Sequence, residues 1–198
     1  MDESLAVQDS LVMKLHPKDD DWGEILLTLE AMDVPMRWME IRTQDDEGTI
    51  PRLTSCMRRF VFKGSLEQVI VDAVVETEEE MDTFLETLLS ELPNLKSLGL
   101  SPGMKWFGTL VQGLAESNCS LRHVVFGPEY PGLGVQADPV TKKQVEYYCK
   151  LNQLGRGIFK NETASIEDTM KVLHSCINES VSTLYGMLRF HPAKWSVQ

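Results

Sequence analysis

The sequence predicts an α/β fold built by stacking, in which short parallel strands alternate with helices and a helical C-terminal segment closes the stack. Three observations carry this. An apolar L-x-x-L-x-L spacing recurs every 26 to 30 residues. Between its copies the apolar period changes from 2 to about 3.6. Beyond residue 139 only the helical period remains.

The elements follow in order. Leu11, Met13 and Leu15 alternate as a first, blurred strand, and Trp22, Ile25, Leu26 and Leu29 share one helical face that Asp20 or Asp21 is placed to cap. In "PMRWMEIRT" the offsets fall on Met36, Met39 and Ile41; 30 residues later, in "SLEQVIVDA", they fall on Leu66, Val69 and Val71. "LPNLKSLGL" repeats them after 29 residues at Leu95, Leu98 and Leu100, and "SLRHVVFGP" after 26 at Leu121, Val124 and Phe126. The intervening helical faces are Met81, Phe84, Leu85, Leu88, Leu89 and Leu92, then Trp106, Leu110, Val111 and Leu114. A single strand and helix cannot bury their own apolar sides, whereas stacked copies can.

The run "LPNLKSLGL" before a helix, then "LAESNCSLRHVVF", with a period near 28, resembles leucine-rich repeats of the ribonuclease-inhibitor type over about residues 5–128. The resemblance implies a short solenoid with parallel strands on the concave side and helices on the convex side. It also implies a non-enzymatic module that binds another protein. The family's asparagine after each strand would fall at Val74, Gly103 and Glu129, so irregular loops are expected there.

Residues 139–192 are expected to form a helical cap belonging to the same compact unit, since an open stack must be covered by something apolar inside and polar outside. Val145, Tyr148, Cys149 and Asn152 share one helical face, followed by Ile166, Met170, Leu173 and Ile177, then Val181, Leu184, Tyr185 and Leu188.

A formal charge of −11, from 30 acidic against 19 basic residues, opposes attraction to nucleic acid or anionic membrane and favours a protein partner with a basic or neutral surface. The acidic opening Met1-Asp2-Glu3-Ser4 and the lack of an apolar run of about 18 residues predict a soluble, intracellular chain without membrane insertion. Four scattered cysteines suit a reducing compartment, and the sequons at Asn118, Asn161 and Asn178 read as chance.

The repeat phasing sets Arg37, Trp38, Glu40, Arg42, Glu67, Gln68, Lys96, Arg122 and His123 on the concave face as candidate partner contacts. Trp38 between Arg37 and Arg42 is the leading anchor, because tryptophan and arginine dominate interface energies, although a one-residue slip would bury it. Asp45, Asp46, Glu47, Glu78 and Glu79 would align as an acidic rim that speeds a basic partner's approach. Thr77 and Glu80 also fit a capping box, so part of that acid belongs to a helix start.

Nothing predicts catalysis, a cofactor or a metal. His16, His123, His174 and His191 lack ligand spacing, "GLGVQA" lacks the third glycine of a dinucleotide loop, and Cys149 sits at an apolar helical position. Gly155 reads as a helix C-cap in "GRG", with Lys150 and Arg156 complementing that helix end. Two other roles fit the same architecture: regulation of a partner enzyme, as a GTPase-activator-like or inhibitory protein, and a structural subunit of a larger complex.

Overall fold

The computed structural model describes residues 12–15, 37–42, 49–59, 65–73, 75, 77–101, 107–127, 138–161, 163–176 and 178–189. Five strands form one parallel sheet in sequence order: β1 (Val12–Leu15), β2 (Trp38–Arg42), β3 (Gln68–Asp72), β4 (Ser97–Leu100) and β5 (His123–Phe126). Seven helices are described. They are α1 (Thr49–Arg59), α2 (Glu78–Glu91), α3 (Gly108–Glu116), α4 (Pro139–Gln153), α5 (Arg156–Lys160), α6 (Ile166–Ser175) and α7 (Val181–Arg189).

The register matches the sequence period. Met39 pairs with Val69, Val69 with Leu98 and Leu98 with Val124, and β1 aligns Met13 with Met39. Strand entry repeats one arrangement. Arg37 O accepts from Glu67 N and Gln68 N (2.9 and 3.0 Å), Glu67 O from Lys96 N and Ser97 N (2.7 and 3.0 Å), and Lys96 O from Arg122 N and His123 N (2.8 and 3.0 Å). Each pre-strand carbonyl uses both lone pairs, so neighbouring copies are locked in step before the ladder begins.

Strand alternation sends Met39, Ile41, Val69, Val71, Leu98 and Leu100 into one core with Ile50, Leu53, Met57, Phe84, Leu88, Leu110 and Leu114 of the helices. Val124 and Phe126 pack against it from the edge strand, where Phe107 meets the Phe126 ring edge-on at 5.0 Å.

Local chemistry fixes the helix ends. Thr77 Oγ1 accepts from Glu80 N (3.2 Å) at the start of α2, whose first turn holds Glu78, Glu79 and Glu80. Asp138 accepts from Val140 N and Thr141 N ahead of Pro139, and Ser165 from Asp168 N. Gly155, at φ 93°, ends α4 in the left-handed region the sequence assigns to it.

Among the helices the structure departs from the sequence reading in three places. Helix α1 was not expected; it buries Ile50, Leu53, Thr54 and Met57, with Thr54 Oγ1 donating back to Ile50 O (2.8 Å). Arg156 serves a different helix end from the one assigned: it is fully buried, and its Nη2 donates to Leu114 O (2.6 Å) and Asn118 O (2.5 Å) beyond the end of α3. Lys160 Nζ adds bonds to Glu116 O (2.8 Å) and Ser117 O (2.6 Å), so α5 supplies two cations where the α3 dipole is negative. In the third place, Ile166 and Met170 of α6 and Val181, Leu184 and Tyr185 of α7 are exposed, while Leu173 and Leu188 of the same stripes pack half-buried on a core formed with Thr169, Val172, Thr183, Gly186 and Met187 buried beside them.

Asn118, Asn152 and Gln153 complete the seam between repeats and cap. Asn152 Nδ2 donates to Leu121 O (2.7 Å) and Asn118 O (3.3 Å), and Gln153 Nε2 to Arg122 O (2.8 Å). Asn118 itself accepts from Leu121 N (2.9 Å) and reaches Leu89 O (3.4 Å) one copy earlier. The expected asparagine positions Val74, Gly103 and Glu129 lie outside the described residues, as do the predicted helix around Trp22 and residue Trp106.

Candidate binding surface

Helices pack on one face of the sheet. On the other, residues alternating with the core are half-buried or exposed: Trp38, Gln68, Ile70, Asp72, Ser97, Gly99, His123 and Val125. Glu40 is the exception. It is only 4 % exposed, so it is not displayed to a partner as the sequence phasing expects. Ile70 lies over Gly99, where an added Cβ would meet its Cγ1 at 3.2 Å.

Parallel register gathers charge into rows. Arg37, Glu67, Lys96 and Arg122 hold the same position one residue before β2, β3, β4 and β5. Lys96 Nζ pairs with Glu67 Oε1 at 2.8 Å, and this hydrogen bond, with Arg37 adding its field, holds the Glu67 carboxyl below the usual carboxylate range. Arg37, Lys96, Arg122 and His123 are exposed, and Gln68 is half-buried beside them. The strand-entry edge is therefore cationic on a chain whose net charge is −11.

Acid gathers at the opposite ends of the strands. Asp72 is exposed at the end of β3, and Glu78 and Glu79 are exposed in the first turn of α2, which follows it. The rim residues Asp45, Asp46 and Glu47 and the Arg42 side chain lie outside the described residues. Trp38 lies on the same face as Glu40, half-buried rather than displayed, with its Nε1 sealed from solvent and without a hydrogen-bond partner among the described residues.

The remaining chemistry is structural. Burial pushes the Cys149 thiol up to about 11, so it stays protonated at neutral pH and makes a poor nucleophile. Among the described residues, no three His, Cys, Asp or Glu side chains converge as metal ligands, and no helix is long and apolar enough to cross a membrane. A cleft of about 540 Å³ between α1 and α2 is lined by Pro51, Thr54, Ser55, Thr77, Glu79 and Glu80, among others.

The sequence reading missed a second surface, on the cap. A groove of about 1210 Å³ lies along α6 and α7, lined by Met170, Leu173, Val181, Leu184, Tyr185 and Leu188. The signal was present in the same segment, because the opposite stripes, Thr169 with Val172 and Thr183 with Gly186, are small and pack helices closely. The chain matches no protein-family model, no curated protein and no solved structure.

Proposed function

We propose that the chain is a non-enzymatic protein-binding module, a short leucine-rich-repeat-like solenoid that engages its partner across the open sheet face. The observation that carries the reading is the asymmetric sheet: helices share a core with one face, while on the other most side chains are half-buried or exposed and stand in register. Copies spaced 26 to 30 residues apart and joined through the same carbonyl row support the repeat assignment.

The charge layout refines the partner. The row of Arg37, Lys96 and Arg122 favours acid at the strand-entry edge, and Glu78, Glu79 and Asp72 favour base at the far edge. A protein whose contact surface is polarised in this sense fits both, and Trp38 supplies apolar contact between them.

The test is quantitative capture with the full chain against Arg37→Glu/Arg122→Glu, comparing recovered proteins by mass spectrometry. Both side chains are exposed, so folding should be unaffected, and a specific partner should fall by roughly tenfold or more. Equal recovery of every protein by both chains would remove the sheet face as the site.

A further inference from the structure

Much of the apolar surface of α6 and α7 is surplus to folding. The helices are held through Val172, Cys176 and Met187 packed with Leu151 and Phe159, and Leu173 and Leu188 at the groove floor lean on the same core. Gly186 lets α7 approach α4, since a Cβ there would come within 2.2 Å of Tyr147 Oη. What remains outside is large: Ile166 is 83 % exposed, Val181 84 %, Tyr185 66 % and Met170 55 %. Ile166 and Val181 open their helices, where a carboxylate would be favoured over an exposed branched hydrocarbon. Contiguous apolar surface of this kind marks interaction sites.

We propose that the groove along α6 and α7 seats one amphipathic helix of a partner protein, with an apolar stripe toward the groove and a basic outer face. The spacing fits. Val181, Leu184, Tyr185 and Leu188 of α7 lie seven residue steps end to end, about 10 Å of helix, with Met170 and Leu173 of α6 across the groove from them, which matches two turns of a bound helix anchored at i, i+3 or i+4, and i+7.

Charge agrees. Two copies would bring −11 against −11, whereas the same field draws in a cationic helix. Glu179 beside the groove is already paired with Lys150 at 2.5 Å, and Arg189 and His174 at the rim lie in the last turns of their helices. Apolar contact therefore supplies the affinity and the overall field the approach. The site is separate from the sheet face and stands whether or not that reading holds.

The test uses the full chain and three labelled peptides of about 18 residues, long enough to be helical alone. One carries leucine at i, i+3, i+4 and i+7 with lysine elsewhere, one replaces lysine by glutamate, and one scrambles the lysine version. Fluorescence anisotropy should show saturable binding of the lysine peptide, with roughly tenfold weaker binding of the other two at low salt. Met170→Asp/Tyr185→Asp, and separately Val181→Asp/Leu184→Asp, should each weaken it by roughly tenfold, and Gln112→Ala, exposed on α3 and outside the groove, should leave it unchanged. The second pair places acid in the first turn of α7, so a preserved melting curve is expected. No saturable binding, equal binding of the scrambled peptide, or indifference to both pairs would overturn the proposal. So would a dimer in sedimentation velocity that Met170→Asp/Tyr185→Asp dissolves, since that would assign the groove to a second copy.

Discussion

Removing the Arg156 guanidinium should be among the costliest single changes in this chain. Its Nη2 donates to Leu114 O and Asn118 O at 2.6 and 2.5 Å, in a site with no solvent access, and its plane lies 5.5 Å from the Tyr148 ring centre. Arg156→Ala strips donors from two carbonyls, at about 1–3 kcal/mol each, and leaves a void where the stem packed. Against this stands relief of the desolvation that pushes the guanidinium pKa down. The net loss is about 3–5 kcal/mol, the range for removing one member of a buried charged network. With a urea slope of about 2 kcal/mol/M, the midpoint should fall by about 2 M. Arg156→Met fills the volume but not the donor positions and should lose about 2–3 kcal/mol; Arg156→Lys keeps a cation and should lose about 1–2 kcal/mol. Urea titration followed by both circular dichroism and tryptophan fluorescence measures these losses and checks that the transition is two-state. A midpoint for Arg156→Ala within about 0.5 M of the parent, or Arg156→Met as stable as the parent, would show that the α3 carbonyls need no cation from the cap.

Two further expectations concern the same seam. The folded Cys149 pKa of about 11 lies above its ordinary value of 9.0 because burial disfavours the thiolate; the unfolded chain therefore loses this proton first as pH rises. The contribution is intact below pH 9, declines between 9 and about 11, and amounts to about 2–3 kcal/mol. Cys149→Ala should lack that decline in urea titrations at pH 8 and 11, and parallel curves for the two proteins would contradict it. Gly155→Ala should cost about 1–2 kcal/mol, because φ is 93° and the new Cβ would meet Val172 Cγ2 at 3.2 Å; an unchanged melting temperature would place the α4 end in another conformation.

The strands were legible because their information is local and repeated. Val69, Leu98 and Val124 carry both the alternation and the period, and the register follows from them. Helix α1 was not, since "TIPRLTSCMRR" offers only Ile50, Leu53 and Met57 as apolar anchors and hides Thr54 through a bond to its own backbone. In the cap, α4 buries Val145, Cys149 and Asn152 as read, but in α6 and α7 hydrophobicity alone misplaced the buried face: Thr169, Thr183 and Gly186 are buried with Val172 and Met187, while Ile166, Met170, Val181 and Tyr185 are left outside. Arg156 was correctly linked to a helix terminus, yet the terminus belongs to α3, about 40 residues upstream. Asn118 read as a chance sequon, but it bridges Leu89, Leu121 and Asn152. Such pairings depend on which elements meet, and sequence spacing does not encode that. Of the candidate surface, the charged row was legible once the register was right, whereas the burial of Glu40 was not.

The carbonyl of Arg122 is the next in the series formed by Arg37, Glu67 and Lys96, each of which receives two amides from the following copy. Here the donor is the side-chain amide of Gln153, at 2.8 Å, with α4 packed against β5. A glutamine thus imitates the strand that would come next, and it occupies the docking point at which another molecule's first strand could add on. The C-terminal segment is in this sense a stopper: it occupies the carbonyl through which each earlier strand receives the next, at the exposed end of the sheet.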